Sequence, residues 1–159
     1  MTIKVGDKVP SVNLAHMTED GPGGLASDDL FGGKRVVMFA VPGAFTPTCS
    51  AAHLPGFVAN ADRIKAKGVD EIVCISVNDA FVMDAWGQAQ NAGAIHMVAD
   101  GNGEFARAAG LELDLVGLGL GVRSQRYAMV VEDGVVTHLH VDEPAKVDGS
   151  GAESVLDLL

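Results

Sequence analysis

Residues 36–77 read VVMFAVPGAFTPTCSAAHLPGFVANADRIKAKGVDEIVCISV, and this stretch decides the fold. It opens on 36–41 (VVMFAV), a continuous apolar run entered from Gly32 and Gly33, and closes on 71–77 (EIVCISV), a second such run. Both are short, rich in β-branched side chains and bounded by turn residues. That is the pattern of strands buried on both faces of a sheet. Between them, residues 50–67 place Leu54, Phe57, Val58, Ala61 and Ile64 at helical spacing, so one stripe of the helix is apolar. Gly68, just after Lys65 and Lys67, supplies the stop. Strand, crossover helix and strand of this length make a βαβ unit with parallel strands.

Working outward, residues 79–92 read as a second helix with Phe81, Val82, Ala85 and Trp86 on its buried side, and 95–99 as a short third strand. Residues 127–132 (YAMVVE), Asp133-Gly134 and 135–140 (VVTHLH) form a hairpin, with D-G as a strong turn signal. Ser150 with Glu153 three residues later reads as a capping box opening a last helix to Leu159. The order βαβαβ, hairpin, helix is thioredoxin-like: an α/β fold with a central mixed sheet flanked by helices. The segment up to Leu30 adds a hairpin or loop, and residues 1–159 read as a single domain.

Composition narrows the function. A 48 % hydrophobic content supports a sizeable core, and a net charge of −10 argues against nucleic acid or anionic membranes as partners. No apolar run reaches the roughly 20 residues that span a bilayer. Residues 1–10 (MTIKVGDKVP) carry no apolar signal core, so the expected location is the cytoplasm. The two cysteines, Cys49 and Cys74, form neither a disulfide framework nor a C-x-x-C pair. The five histidines do not fall with them at metal-ligand spacing, and His138 and His140 read as a polar strand face. No metal and no organic cofactor is signalled. The apolar, Gly-rich stretch 115–121 (LVGLGLG) lacks the spacing of a nucleotide loop.

Cys49 is the informative residue. A buried strand ends, a Gly/Pro/Thr loop follows, and Cys49 falls where the next helix begins. First-turn N–H groups lack intrahelical partners, and the helix end carries partial positive charge, so a thiolate is favoured there. Thr46 lies three residues earlier, in reach of the same pocket, while Pro42 and Pro47 stiffen the loop. By itself this context leaves open a reactive thiol or a small buried apolar side chain.

The string from Pro42 through Thr46 to Cys49 fits the P-x-x-x-T-x-x-C signature of peroxiredoxins. VPGAFTPTCS followed by HLPGF resembles the type II, peroxiredoxin-five-like branch, and the resemblance continues through 68–79, 81–86 and 119–134. It implies a thiol peroxidase that reduces hydrogen peroxide and alkyl hydroperoxides. Cys49 would be the peroxidatic cysteine, Pro42 and Thr46 the pocket residues, and Arg126 the arginine beside the thiolate. Arg123, Phe45 and Leu118 are expected at the pocket, with 115–121 at its mouth. Cys74 stands where related chains carry a cysteine that some schemes use for resolution. Residues 147–159 hold no cysteine, so a C-terminal resolving route is absent. Recycling by glutaredoxin with glutathione, or by thioredoxin, is the favoured expectation, as is a homodimer contacting through Phe45 and Trp86. The competing readings are a redox sensor that signals through oxidised Cys49 and a cysteine hydrolase using His53, one helical turn past Cys49, as base.

Overall fold

The computed structural model describes residues 1–159. The N-terminal segment forms a hairpin, β1 (Asn13–Thr18) with β2 (Gly21–Ala26), followed by the short α1 (Ser27–Phe31). The first apolar run is β3 (Arg35–Ala40). The crossover begins with one π-helical turn, Cys49–His53, and continues as α2 (Leu54–Lys65) into β4 (Glu71–Ser76). After α3 (Ala80–Ala89), β5 (His96–Ala99) and α4 (Glu104–Ala109) comes a small hairpin, β6 (Glu112–Leu115) with β7 (Gly121–Ser124). β8 (Arg126–Glu132), β9 (Val135–Asp142) and α5 (Ala152–Leu156) close the chain.

Seven strands make one mixed sheet in the order β2-β1-β5-β4-β3-β8-β9, with β3, β4 and β5 parallel and β8 antiparallel to β3. The period of two along each strand divides the apolar runs between two cores. Val37 and Phe39 of β3, Ile72 and Cys74 of β4, and Ala128 and Val130 of β8 face the side covered by α2, α3 and α5. Val36, Met38, Val73, Ile75, Met129 and Val131 face the side covered by α1 and α4. Burial on both faces is why these runs are apolar without alternation. The Phe39 and Phe57 rings stack at 4.0 Å and clamp α2 to the centre of the sheet. No helix is long and apolar enough to cross a membrane.

The βαβ unit, the D-G hairpin and the N-terminal hairpin stand as expected. Asp133 (φ 46°) and Gly134 (φ 79°) both adopt positive φ, the geometry of a two-residue turn matched to strand twist. Two expectations need correction. Phe81 is 64 % exposed and Ala85 is also exposed, whereas Ala80, Met83, Trp86 and Gly87 form the buried face of α3. The Asp79 carboxylate accepts from Val82 N–H and fixes where that helix starts. Gly87 then lets it approach β5, since a Cβ there would meet Met97 Cγ at 2.8 Å. Ser150 does not cap α5: its neighbour Gly151 is the cap residue, and the Ser150 hydroxyl donates to Asp142 at 2.5 Å. The stretch 115–121 spans the turn of the β6–β7 hairpin, with Leu118 74 % exposed at its tip; Arg123 donates to the Leu120 carbonyl at 2.8 Å and to the Pro42 carbonyl at 3.5 Å, which ties this turn to the loop after β3.

Candidate active site

The loop after β3 is held from the neighbouring strand. The Ser76 hydroxyl, at the end of β4, donates to the Val41 carbonyl at 3.1 Å, and the Ala44 N–H donates to Asn78 Oδ1 at 3.0 Å. Pro42 is buried, and its carbonyl accepts from Arg123 Nη1 at 3.5 Å. Phe45 turns the chain with φ 64°, leaving its ring 55 % exposed. The Thr46 hydroxyl donates to the Gly43 carbonyl at 2.6 Å, which leaves its lone pairs free to accept. The Ser50 N–H donates to the Thr46 carbonyl at 2.9 Å, so the helix starts before Ser50 and Cys49 lies within its first turn. The π-helical turn closes with Leu54 N–H on the Cys49 carbonyl.

Cys49 is fully buried. Arg126, 77 residues later at the start of β8, is also buried, and its Nη2 donates to Cys49 Sγ at 3.0 Å. Two further bonds fix the guanidinium plane: Nε donates to the Pro144 carbonyl at 3.0 Å, and Nη1 donates to His53 Nδ1 at 2.8 Å. His53 Nε2 in turn donates to the Ser150 carbonyl at 2.9 Å. This pairing assigns His53 as the neutral Nε2–H tautomer. A buried guanidinium thus rests directly against the sulfur.

Burial, with the Arg126 charge adding to it, pushes His53 down to about 4, in spite of the Ser150 carbonyl. Asp142 is the opposite case. Burial raises it, but hydrogen bonds from the Ser150 hydroxyl and from the Asp148 and Ser150 N–H groups prevail and hold it at about 2. Its stabilising contribution is therefore lost only in strong acid. His53 acts at milder pH. Because its folded value lies below the ordinary 6.5, the unfolded chain binds more protons between pH 6.5 and about 4, so stability falls as pH drops through that window. The loss amounts to about 3 kcal/mol across the window. His53→Gln, which does not titrate, is expected to flatten this slope; urea unfolding at pH 7 and pH 4.5 measures it.

Of the residues singled out in the sequence, Cys49, Thr46, Pro42, Arg123 and Arg126 converge on one end of β3 and β8, with Phe45 at the rim. Leu118 sits at the exposed tip of the β6–β7 turn. Trp86 is fully buried, with its indole N–H on Ser50 Oγ at 3.0 Å, so it packs inside the chain and not against a second copy. Cys74 sits buried in mid-strand, opposite Phe39 and Met97, in the same core as Cys49. Burial first, then the charge at Cys49, push its thiol well above the usual range. Sequence reasoning meets His53 only as a possible base and Ser150 only as a helix cap, and does not single out Asp142 or Asn78. The four-residue spacing from Cys49 to His53 was the one local signal; the others are joined to the site by tertiary structure alone.

Comparison with known proteins agrees with this geometry. Residues 4–156 match the Redoxin family. The chain is 47 % identical to peroxiredoxin-2B of Arabidopsis thaliana over 99 % of this chain and 98 % of that one. It is 48 % identical to the chloroplastic peroxiredoxin-2E-2 of Oryza sativa subsp. japonica, covering 99 % and 73 % of the two chains. Among solved structures, reduced Prx3 of Vibrio vulnificus in complex with hydrogen peroxide superposes with a TM-score of 0.95 at 54 % identity, covering 99 % of both chains. Peroxiredoxin 5 of Alvinella pompejana gives 0.86 at 35 % identity, over 97 % and 96 %. The chain belongs to the peroxiredoxin family, in its type II branch, and is a thiol peroxidase.

Proposed function

We propose that Cys49 is the peroxidatic nucleophile and that its sulfenic acid is recycled from outside the chain. The observation that carries this reading is the buried Arg126 Nη2 at 3.0 Å from Cys49 Sγ. The thiolate attacks one oxygen of a hydroperoxide in line with the O–O bond. An S–O bond forms, the O–O bond breaks, and the leaving oxygen takes the electron pair and a proton to depart as water or an alcohol. Arg126 faces both the sulfur and the charge that moves onto the leaving oxygen, which is stabilisation aimed at the transition state. Thr46, its proton committed to Gly43, is free to accept the O–H of the bound peroxide.

A first thiol then condenses with the Cys49 sulfenic acid, releasing water and leaving a mixed disulfide. A second thiol attacks that disulfide, regenerates the Cys49 thiolate and departs as the oxidised reductant. Glutathione with glutaredoxin, or thioredoxin, supplies both thiols. Because Cys49 is fully buried, the turn that carries it has to open before a protein thiol reaches the sulfur. Cys74 is a poor internal alternative. Its β4 backbone is paired on both sides, so reaching Cys49 would disrupt ladder bonds at the centre of the sheet. In a homodimer, the exposed Phe45 ring beside the Cys49 loop is the contact this reading favours.

Peroxide consumption by wild type and Cys74→Ser, with each reducing system in turn, tests the scheme. Cys74→Ser is expected to keep most of its turnover with glutaredoxin and glutathione. Its loss with every reductant would make Cys74 an obligatory resolving residue. Failure of the wild type with both systems would favour a sensor that is reduced only by a dedicated partner.

A further inference from the structure

We propose that His53 and Asp142, neither of which touches the sulfur, are positioning residues that lock the Arg126 guanidinium onto Cys49 through Ser150. This rests on the reading of Cys49 as the nucleophile and Arg126 as its partner. A guanidinium on a flexible stem has many orientations, and a single bond to sulfur would not select one. Its other two bonds select it, and both depend on the segment between β9 and α5. Pro144 provides one acceptor directly, and Ser150 provides the second by orienting His53.

That segment is shaped by one carboxylate. Asp142 Oδ2 accepts from Asp148 N–H at 2.7 Å, Ser150 N–H at 2.9 Å and the Ser150 hydroxyl at 2.5 Å. Its Oδ1 lies 3.0 Å from His140 Nε2. The line of support therefore runs from Asp142 through Ser150 and His53 to Arg126 and the sulfur. It explains why Ser150 leaves α5 uncapped by a side chain and why a histidine is buried beside an arginine. His53 must present one acceptor to Arg126 and one donor to Ser150. Only the neutral ring does so, since a protonated ring would aim an N–H at the guanidinium. Its other neighbours are the Phe39 and Phe57 rings, with centroids at 4.9 and 5.7 Å, and Asp142 and Arg126 are the charges that act on it.

Gln can offer the same acceptor and donor, whereas Leu offers neither. The test compares His53→Leu, His53→Gln, Asp142→Asn and Arg126→Gln with wild type. Two quantities are read: the rate of reaction with hydrogen peroxide, and the pH dependence of iodoacetamide alkylation followed on the Cys49 peptide by mass spectrometry. His53→Leu is expected to move the alkylation midpoint up by about one pH unit and to slow the peroxide reaction by about tenfold. His53→Gln is expected to recover most of both, and Asp142→Asn to shift both in the direction of Leu. A mere packing role would leave the alkylation midpoint in place, or make Gln as harmful as Leu, and either result overturns the proposal. If His53→Leu fails to fold, an unmoved Asp142→Asn profile overturns it. If Arg126→Gln moves both quantities and the other variants move neither, only the positioning role falls. If Arg126→Gln itself changes nothing, the reading of the site falls, and the positioning role with it.

Discussion

Cys49→Ser is expected to abolish turnover of hydrogen peroxide and of tert-butyl hydroperoxide with either reducing system. The reaction needs an ionised, readily oxidised nucleophile. A serine hydroxyl neither ionises near neutral pH nor gives up an electron pair to an O–O bond, so the loss should reach roughly 10⁴-fold or more, the scale seen when a nucleophile is removed. The substitution is nearly isosteric. Cys49 already accepts a hydrogen bond from Arg126, and a Ser hydroxyl at this buried position can accept the same one. The hydroxyl is neutral, however, and leaves the buried Arg126 without the counter-charge of a thiolate, so the melting temperature should fall; a variant still folded at the assay temperature lets the lost rate read on chemistry. Steady-state assays beside a melting curve check both. Turnover that survives in Cys49→Ser and vanishes in Cys74→Ser would move the nucleophile to Cys74, against the effect of its burial.

Arg126→Gln is expected to lower kcat/KM for hydrogen peroxide by about 10²–10³-fold, the range for removing one preorganised donor from a developing charge. Two losses combine. The thiolate loses its only charged neighbour, and the leaving oxygen loses the cation that meets its new charge. Stability should change less than rate. His53 Nδ1 and the Pro144 carbonyl lose a donor, which costs about 1–3 kcal/mol for each group left unsatisfied. Removing a buried cation also relieves a desolvation penalty of comparable size. Measured by stopped flow and urea unfolding together, a rate drop below tenfold would sink the assignment of Arg126 to the transition state.

Much of the fold is legible in the sequence because its signals are local. The runs around Val37 and Val73, the stripe from Leu54 to Ile64 and the Asp133-Gly134 turn each carry their own pattern of period or dihedral preference. Errors arose where a local pattern met a tertiary demand. Phe81 looked like a core residue by size, but Gly87 and Trp86 set the face of α3 because the helix packs closely on Met97. Ser150 and Glu153 make the pattern of a capping box, but Asp142 takes the serine with two hydrogen bonds, from its N–H and its hydroxyl. The β6–β7 hairpin is not legible in the sequence because its strands are four residues each: Glu112-Leu113-Asp114-Leu115 alternates, but over too short a run to stand out, and β7 carries no such pattern.

By itself, the sequence determined the βαβ core, the thioredoxin-like order and the place of Cys49 at a helix start. It also carried a family signature that points to Thr46, Pro42 and Arg126. Only the tertiary structure decided how the site is held. Antiparallel pairing of β8 on β3 brings Arg126 across 77 residues to the sulfur, and the return of the chain after β9 brings Pro144 and Ser150 to Arg126 and His53. Such bonds join groups far apart in sequence, and their geometry depends on sheet register and on burial that withholds water as a substitute partner. No local periodicity encodes them.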